Sequence, residues 1–215
     1  MIKVLLVDDH ELIRTGISRM LADFDKIKVV GEAASGEDAV SMARELQPHV
    51  VLMDANMPGI GGLEATRRLV RYDPDVKVIA VTIHEEEPYP TKFMQAGAAG
   101  YVTKGADIKE IVNAIRQVKT GKRYITPEIA QQMALKALNP DEESPFDILS
   151  EREMQVMIMI TQGQKVPDIS DQLFLSPKTV NSYRYRLFEK LSIENDVELT
   201  HMAIRYGIIK SDQLG

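Results

Sequence analysis

The sequence predicts two joined folds: an α/β doubly wound five-stranded parallel sheet, then an all-α unit of four helices. Three observations carry that expectation. Over residues 1–122, short runs rich in Val and Ile alternate with amphipathic segments, as repeated βαβ units require. After Gly121 the aliphatic runs stop, and residues 139–145 (NPDEESP) have the composition of a linker. From Leu149 onward every segment carries a helical pattern. The divisions that follow are a first domain at 1–122, a linker with a short helix at 123–146, and a helical domain at 147–211.

The five strands are expected at Ile2–Val7, Lys28–Gly31, Val50–Met53, Lys77–Thr82 and Gly100–Thr103. Val50-Val51-Leu52-Met53 and, Lys77 apart, Val76–Val81 are apolar without alternation, the mark of strands buried on both faces of a parallel sheet. Between the strands, helices are expected near Leu12–Ala22, Glu37–Leu46, Gly62–Tyr72, Pro90–Ala96 and Ile108–Lys119. Ser35 and Asp107 stand where N-caps belong, each followed by an acidic first turn. Thr126-Pro127-Glu128 opens a short helix running to about Ala137. The last unit should hold helices at Glu151–Thr161, Pro167–Leu173, Pro177–Leu191 and Val197–Tyr206. Its methionines, Met154, Met157 and Met159, suit adaptable core filling.

Composition narrows the function. Hydrophobic residues at 44% and charged residues at 27% describe a globular chain rather than a disordered one. The absence of cysteine excludes disulfides, a thiol nucleophile and cysteine-ligated metals. The N-terminal apolar run is too short for a secretion signal, and no segment is long enough to span a membrane, so a soluble, cytoplasmic protein with no membrane partner is expected. A net charge of −6 argues against indiscriminate coating of nucleic acid. Within that acidic chain, residues 176–191 carry Lys178, Arg184, Arg186 and Lys190 against Glu189 alone.

Asp8 and Asp9 end the first predicted strand, Asp54 ends the third, and Lys104 follows the fifth. A right-handed doubly wound sheet makes the first and third strands neighbours, so these groups converge at the carboxyl edge where such sheets bind ligands. Three carboxylates in one pocket repel unless a cation joins them, and Mg²⁺ with oxygen ligands answers that need while keeping room for a phosphoryl group. Lys104 adds a second positive charge able to hold a phosphoryl oxygen, and Thr82 ends the fourth strand with a hydroxyl able to donate to one. Tyr101 lies on the fifth strand, where it can turn inward when the Thr82 side moves. The four histidines, His10, His49, His84 and His201, are scattered and indicate no metal site.

In the helical unit, Ser176 and Pro177 supply an N-cap and a first-position proline. Val180, Leu187 and Leu191 then mark a core side, and Lys178, Asn181, Ser182 and Tyr185 a continuous polar side. A short helix, a tight turn at Phe174-Leu175-Ser176 and a polar, basic second helix describe a helix-turn-helix, although periodicity alone equally fits a solvated helix of any small bundle.

Asp8-Asp9, residues 53–59 (MDANMPG), Thr82, Tyr101 and Lys104 together resemble a bacterial response-regulator receiver domain of flavodoxin-like fold. Leu149-Ser-Glu-Arg-Glu153, Gly163, Ile169, Leu173, residues 175–181 (LSPKTVN) and Lys190-Leu191 resemble the LuxR-type DNA-binding domain, and the two together the NarL/FixJ architecture. Residues 56–66, 95–100 and 176–186 look closest to the GacA/UvrY group of that family. The resemblance implies that Asp54 is the phosphoacceptor for a sensor histidine kinase. It also implies Mg²⁺ held by Asp9, Asp54 and the backbone carbonyl of Asn56, with Asp8 acting through water, and a switch formed by Lys104, Thr82 and Tyr101. One departure is Gly105, where many receivers carry proline. By the same resemblance Asn181, Ser182 and Tyr185 face base edges of double-stranded promoter DNA, and Lys178, Thr179, Arg184 and Arg186 lie nearer phosphates. The last helix would pair two copies of the domain when the chain is phosphorylated, giving a homodimer on a palindromic site. Its apolar residues Val197, Leu199, Met202, Ala203 and Ile204 fit domain core equally well.

A Mg²⁺-dependent phosphohydrolase with an aspartyl-phosphate intermediate shares the carboxylate and metal logic. Such enzymes carry Asp-x-Asp after the first strand, whereas Asp54-Ala55-Asn56 follows the third and lacks the second carboxylate. A regulator that binds DNA constitutively is the remaining alternative. The expectation is therefore a non-enzyme: a phosphorylation-dependent DNA-binding transcription regulator of a two-component system.

Overall fold

The computed structural model describes residues 1–55, 57, 59–82, 89–138, 144–206 and 208. Asn56, His84, residues 139–143 of the predicted linker and the predicted C-terminal end at 211 lie outside them. The chain divides into two compact units, one of residues 1–85 and 89–135, the other from residue 136 onward.

The first unit alternates strand and helix: β1 (Ile2–Val7), α1 (Glu11–Ala22), β2 (Ile27–Ala33), α2 (Gly36–Leu46), β3 (Val50–Met53), α3 (Gly61–Tyr72), β4 (Lys77–Thr82), α4 (Tyr89–Gln95), β5 (Gly100–Thr103) and α5 (Ile108–Lys119). The strands pair in parallel in the order β2-β1-β3-β4-β5-β6. The sixth strand, β6 (Tyr124–Ile125), is a correction to the expected five. It is only two residues long, too short to show a period, and lies between the Gly121 turn and Pro127. Tyr124 and Ile125 pair with Gly100 and Tyr101 at the sheet edge.

Both faces of the sheet are covered. Val4, Leu6, Val50, Leu52, Ile79 and Val81 pack with Ile111, Ile115 and Val118 of α5. Leu5, Val7, Val51, Met53 and Val78 pack on the other face with Ala39 and Ala43 of α2 and Ala65 and Leu69 of α3. Alternate residues of one strand thus serve opposite cores, each full burial of such a side chain stabilising by about 1.5–3 kcal/mol. Ser35 and Asp107 cap α2 and α5 through bonds from Asp38 N and Lys109 N.

After β6, α6 (Pro127–Leu138) begins within the first unit. Ile129, 1% exposed, packs with Phe93, Ala98 and Tyr101. In the second unit a 3-10 turn (Pro145–Ile148) precedes α7 (Glu151–Thr161), α8 (Val166–Leu173), α9 (Pro177–Leu191) and α10 (Asp196–Arg205). Ser150 and Glu153 form a reciprocal capping box that starts α7. Met154, Met157 and Met159 are all buried. Among the described residues, no helix is long and apolar enough to cross a membrane.

Candidate functional site

The central strands β1, β3 and β5 deliver the acidic site at their carboxyl ends. Asp54 N donates to Val7 O at 2.8 Å, and Lys104 N donates to Thr82 O at 2.8 Å, so each site residue continues a strand ladder by one step. Asp8 and Asp54 are 5% and 3% exposed, whereas Asp9 is exposed. Lys104 Nζ lies 2.6 Å from Asp8 Oδ2 and 2.9 Å from Asp54 Oδ2. With Gly105 next in the chain, the lysine still reaches both carboxylates. Burial pulls the Lys104 ammonium toward neutrality, but its bonds to Asp8 and Asp54 outweigh that and raise its pKa, keeping it charged.

His10 adds contacts that the sequence did not indicate. Its backbone N–H donates to Asp8 Oδ1 at 2.8 Å, and its Nδ1 sits 2.8 Å from Asp9 Oδ1 and 3.1 Å from Asp8 Oδ1. One ligand atom from each of Asp8, Asp9, His10 and Asp54 falls within 4.8 Å of the others. Three hard carboxylates brought this close, two of them buried, fit a divalent cation with oxygen ligands.

Local sequence enforces this geometry. A Cβ on Gly62 would lie 1.9 Å from the carbonyl oxygen of Asp54, so the start of α3 approaches the site only because residue 62 has no side chain. Glu37, on the first turn of α2, accepts from Ile60 N at 2.9 Å and braces the chain that leaves β3.

Thr82 and Tyr101 occupy adjacent strands and are fully buried. The Tyr101 ring meets Phe93 edge-on at 5.9 Å and shares its cluster with Leu63, Ala80 and Ile129. The ring expected to turn inward is thus wholly covered, and Thr126 N donates to its backbone carbonyl at 3.2 Å.

In the second unit, Ser176 caps α9 by accepting from Thr179 N at 3.1 Å. Val180, Leu187 and Leu191 are buried as the periodicity requires. Lys178, Ser182, Tyr185 and Arg186 are exposed, and Thr179 and Asn181 are partly so. Arg184, expected beside phosphates, donates from Nε and Nη2 to the two carboxylate oxygens of Asp196. On α10, Leu199 and Ala203 are buried, Met202 and Ile204 are intermediate, and Val197 is 63% exposed.

Residues 4–116 match the response regulator receiver domain, and residues 147–203 match the bacterial regulatory proteins of the luxR family. The chain belongs to the response regulators. It is 64% identical to the response regulator GacA of Pseudomonas protegens over 209 residues, 97% of this chain and 98% of that one. It is 63% identical to the response regulator UvrY of Escherichia coli K12 over 215 residues, 100% of this chain and 99% of that one. A crystal structure of a LuxR-family two-component response regulator from Aurantimonas aligns with a TM-score of 0.61 and 38% identity, covering 63% of this chain and 97% of that one.

Four contributors to this response regulator escaped the sequence reading. Glu37 counted only toward an acidic first turn, and both it and Ile129 act across long sequence separations. Asp196 lies just before the expected start of the last helix at Val197 and carried no assigned role. Glu153, 3% exposed, entered only as part of the LuxR-like motif at 149–153, yet it closes the capping box of α7 and receives Lys190 Nζ at 2.6 Å.

Proposed function

We propose that this response regulator is switched by phosphorylation of Asp54, with a sensor histidine kinase as donor and promoter DNA as the output. The convergence of Asp8, Asp54 and Lys104 at the carboxyl ends of three strands carries that reading. A carboxylate oxygen of Asp54 attacks phosphorus. The new O–P bond forms as the P–N bond to the kinase imidazole breaks, its electron pair returning to the ring nitrogen. Lys104, already charged beside Asp54, holds an oxygen of the transferred group. Asp8, Asp9, Asp54 and the Asn56 carbonyl would hold Mg²⁺, which supplies charge compensation at the phosphoryl oxygens when bound. Thr82 donates to the new phosphoryl group, and Tyr101 with its Phe93 and Ile129 neighbours forms the apolar face that responds.

Output runs through α9. Asn181, Ser182 and Tyr185 meet base edges in the major groove, while Lys178, Thr179 and Arg186 meet phosphates. The exposed Val197 on α10 favours pairing of two copies across a two-fold axis, and Leu199 and Ala203 serve the domain's own core. The need to meet both a kinase and promoter DNA places the protein in the cytoplasm. The boundaries 1–122, 123–146 and 147–211 remain our division into receiver, linker and DNA-binding domain.

Intact mass after incubation with Mg²⁺ and acetyl phosphate tests the acceptor. Wild type should gain one phosphoryl group and Asp54→Ala none. Equal uptake in the variant would refute the assignment.

A further inference from the structure

The four cations that make α9 basic in the sequence have separate fates in the fold. At 3.6 residues per turn, Arg184 lies about 120° around the helix from Lys178. It stands on the side that carries Val180, Leu187 and Leu191, all buried. Its guanidinium lies 5.3 Å from the centre of the Phe188 ring, and Nε donates to Asp196 Oδ1 at 2.7 Å while Nη2 donates to Oδ2. Two parallel bonds and a stacked face fix a planar cation more firmly than a single ion pair does. Lys190 is drawn the other way, to Glu153 on α7. Lys178 and Arg186 stay on the exposed outer side.

Asp196 is suited to this task before Arg184 reaches it. It is the first residue of α10, at the positive end of that helix dipole, where a carboxylate is favoured. Non-specific affinity for DNA grows with each cation that can neutralise a phosphate, whereas base contacts set discrimination. A cation withheld from the backbone therefore lowers affinity and salt dependence on every sequence alike.

We propose that Asp196 is a positioning residue that sets DNA affinity: it neutralises Arg184 and holds it against α10, so that one cation of the recognition helix is kept from the DNA backbone. This rests on the reading that α9 faces DNA.

The test uses the full-length chain and two duplexes of equal length, one of random sequence and one selected by the wild-type protein from a random library. Affinities are measured over a series of salt concentrations. Asp196→Asn, nearly isosteric, should tighten binding to the random duplex by about fourfold and steepen its salt slope by about 0.9. Binding to the selected duplex should tighten by a similar factor, so the specificity ratio stays near its wild-type value. Arg184→Ala should keep the wild-type slope, and adding Asp196→Asn to that variant should change neither duplex. Unchanged random-duplex binding in Asp196→Asn would overturn the proposal, as would a flattened slope in Arg184→Ala. Lys178→Ala separates the two levels: it should flatten the slope, and if it does not, the assignment of α9 to DNA fails first.

Discussion

Lys190 on α9 forms a 2.6 Å ion pair with Glu153 on α7, and the Glu153 side chain is only 4% exposed. Burial opposes ionisation of that carboxyl, but bonds from Lys190 and from Ser150 prevail and hold its pKa below the ordinary value of 4.5. The pair fastens α9 to α7, so the charge that orients α9 is also a stability determinant.

A carboxyl depressed in the folded state stabilises above its unfolded pKa, and that contribution disappears as pH falls through the folded value. Denaturant unfolding of the full chain should therefore show the stability of the second unit dropping below about pH 4.5. Glu153→Gln should lose about 1–3 kcal/mol at neutral pH and show a shallower acid slope. An acid slope equal to wild type would remove Glu153 from this role.

Lys104 supplies the positive charge between Asp8 and Asp54. In Lys104→Ala the ammonium between the two carboxylates is gone, and Mg²⁺ should raise the melting temperature of the variant more than that of wild type. Phosphoryl uptake from acetyl phosphate should fall by about 100-fold, the cost of removing one donor from a developing charge. Equal Mg²⁺ responses would show that the ammonium is not what balances the pocket.

Gly62→Ala places a methyl group where the Asp54 carbonyl oxygen already lies. The start of α3 must shift, costing about 1–3 kcal/mol. Calorimetry should show a lower melting temperature, and mass spectrometry slower phosphoryl uptake. Wild-type behaviour in both would mean that the start of α3 does not depend on a missing side chain at residue 62.

Lys178 and Asn181 lie on the same outer side of α9 and should fail differently. Lys178→Ala should weaken binding to all sequences alike and reduce the salt slope by about 1. Asn181→Ala should relax preference at a single base position by about 1–3 kcal/mol, read by competition between duplexes differing there. Equal losses on specific and random DNA in Asn181→Ala would contradict base readout.

The strands and helices of the first unit were legible because each buries a patterned face, and Asp8, Asp54 and Lys104 were legible because strand ends impose their convergence. What escaped was tertiary. β6 is held by its pairing with β5 and by Ile129 behind it, neither visible in two residues of sequence. Arg184 counted as one more cation of a basic helix until Asp196, twelve residues on, was seen to hold it. Composition records charge but not where a charge is already answered. Helical angle gave the better clue, since Arg184 shares the core side with Val180 and Leu187.

The sheet pairing of Tyr124 and Ile125 and the burial of Ile129 bear on how the chain can be cut. A fragment ended at residue 122 would lose its edge strand and leave Tyr101 and Phe93 with one side bared to water, an invitation to sticky intermolecular pairing. A fragment extended to residue 135 would carry its own cover. The natural stopping point for an isolated N-terminal piece lies beyond the last of its five patterned strands, within what looked like tether.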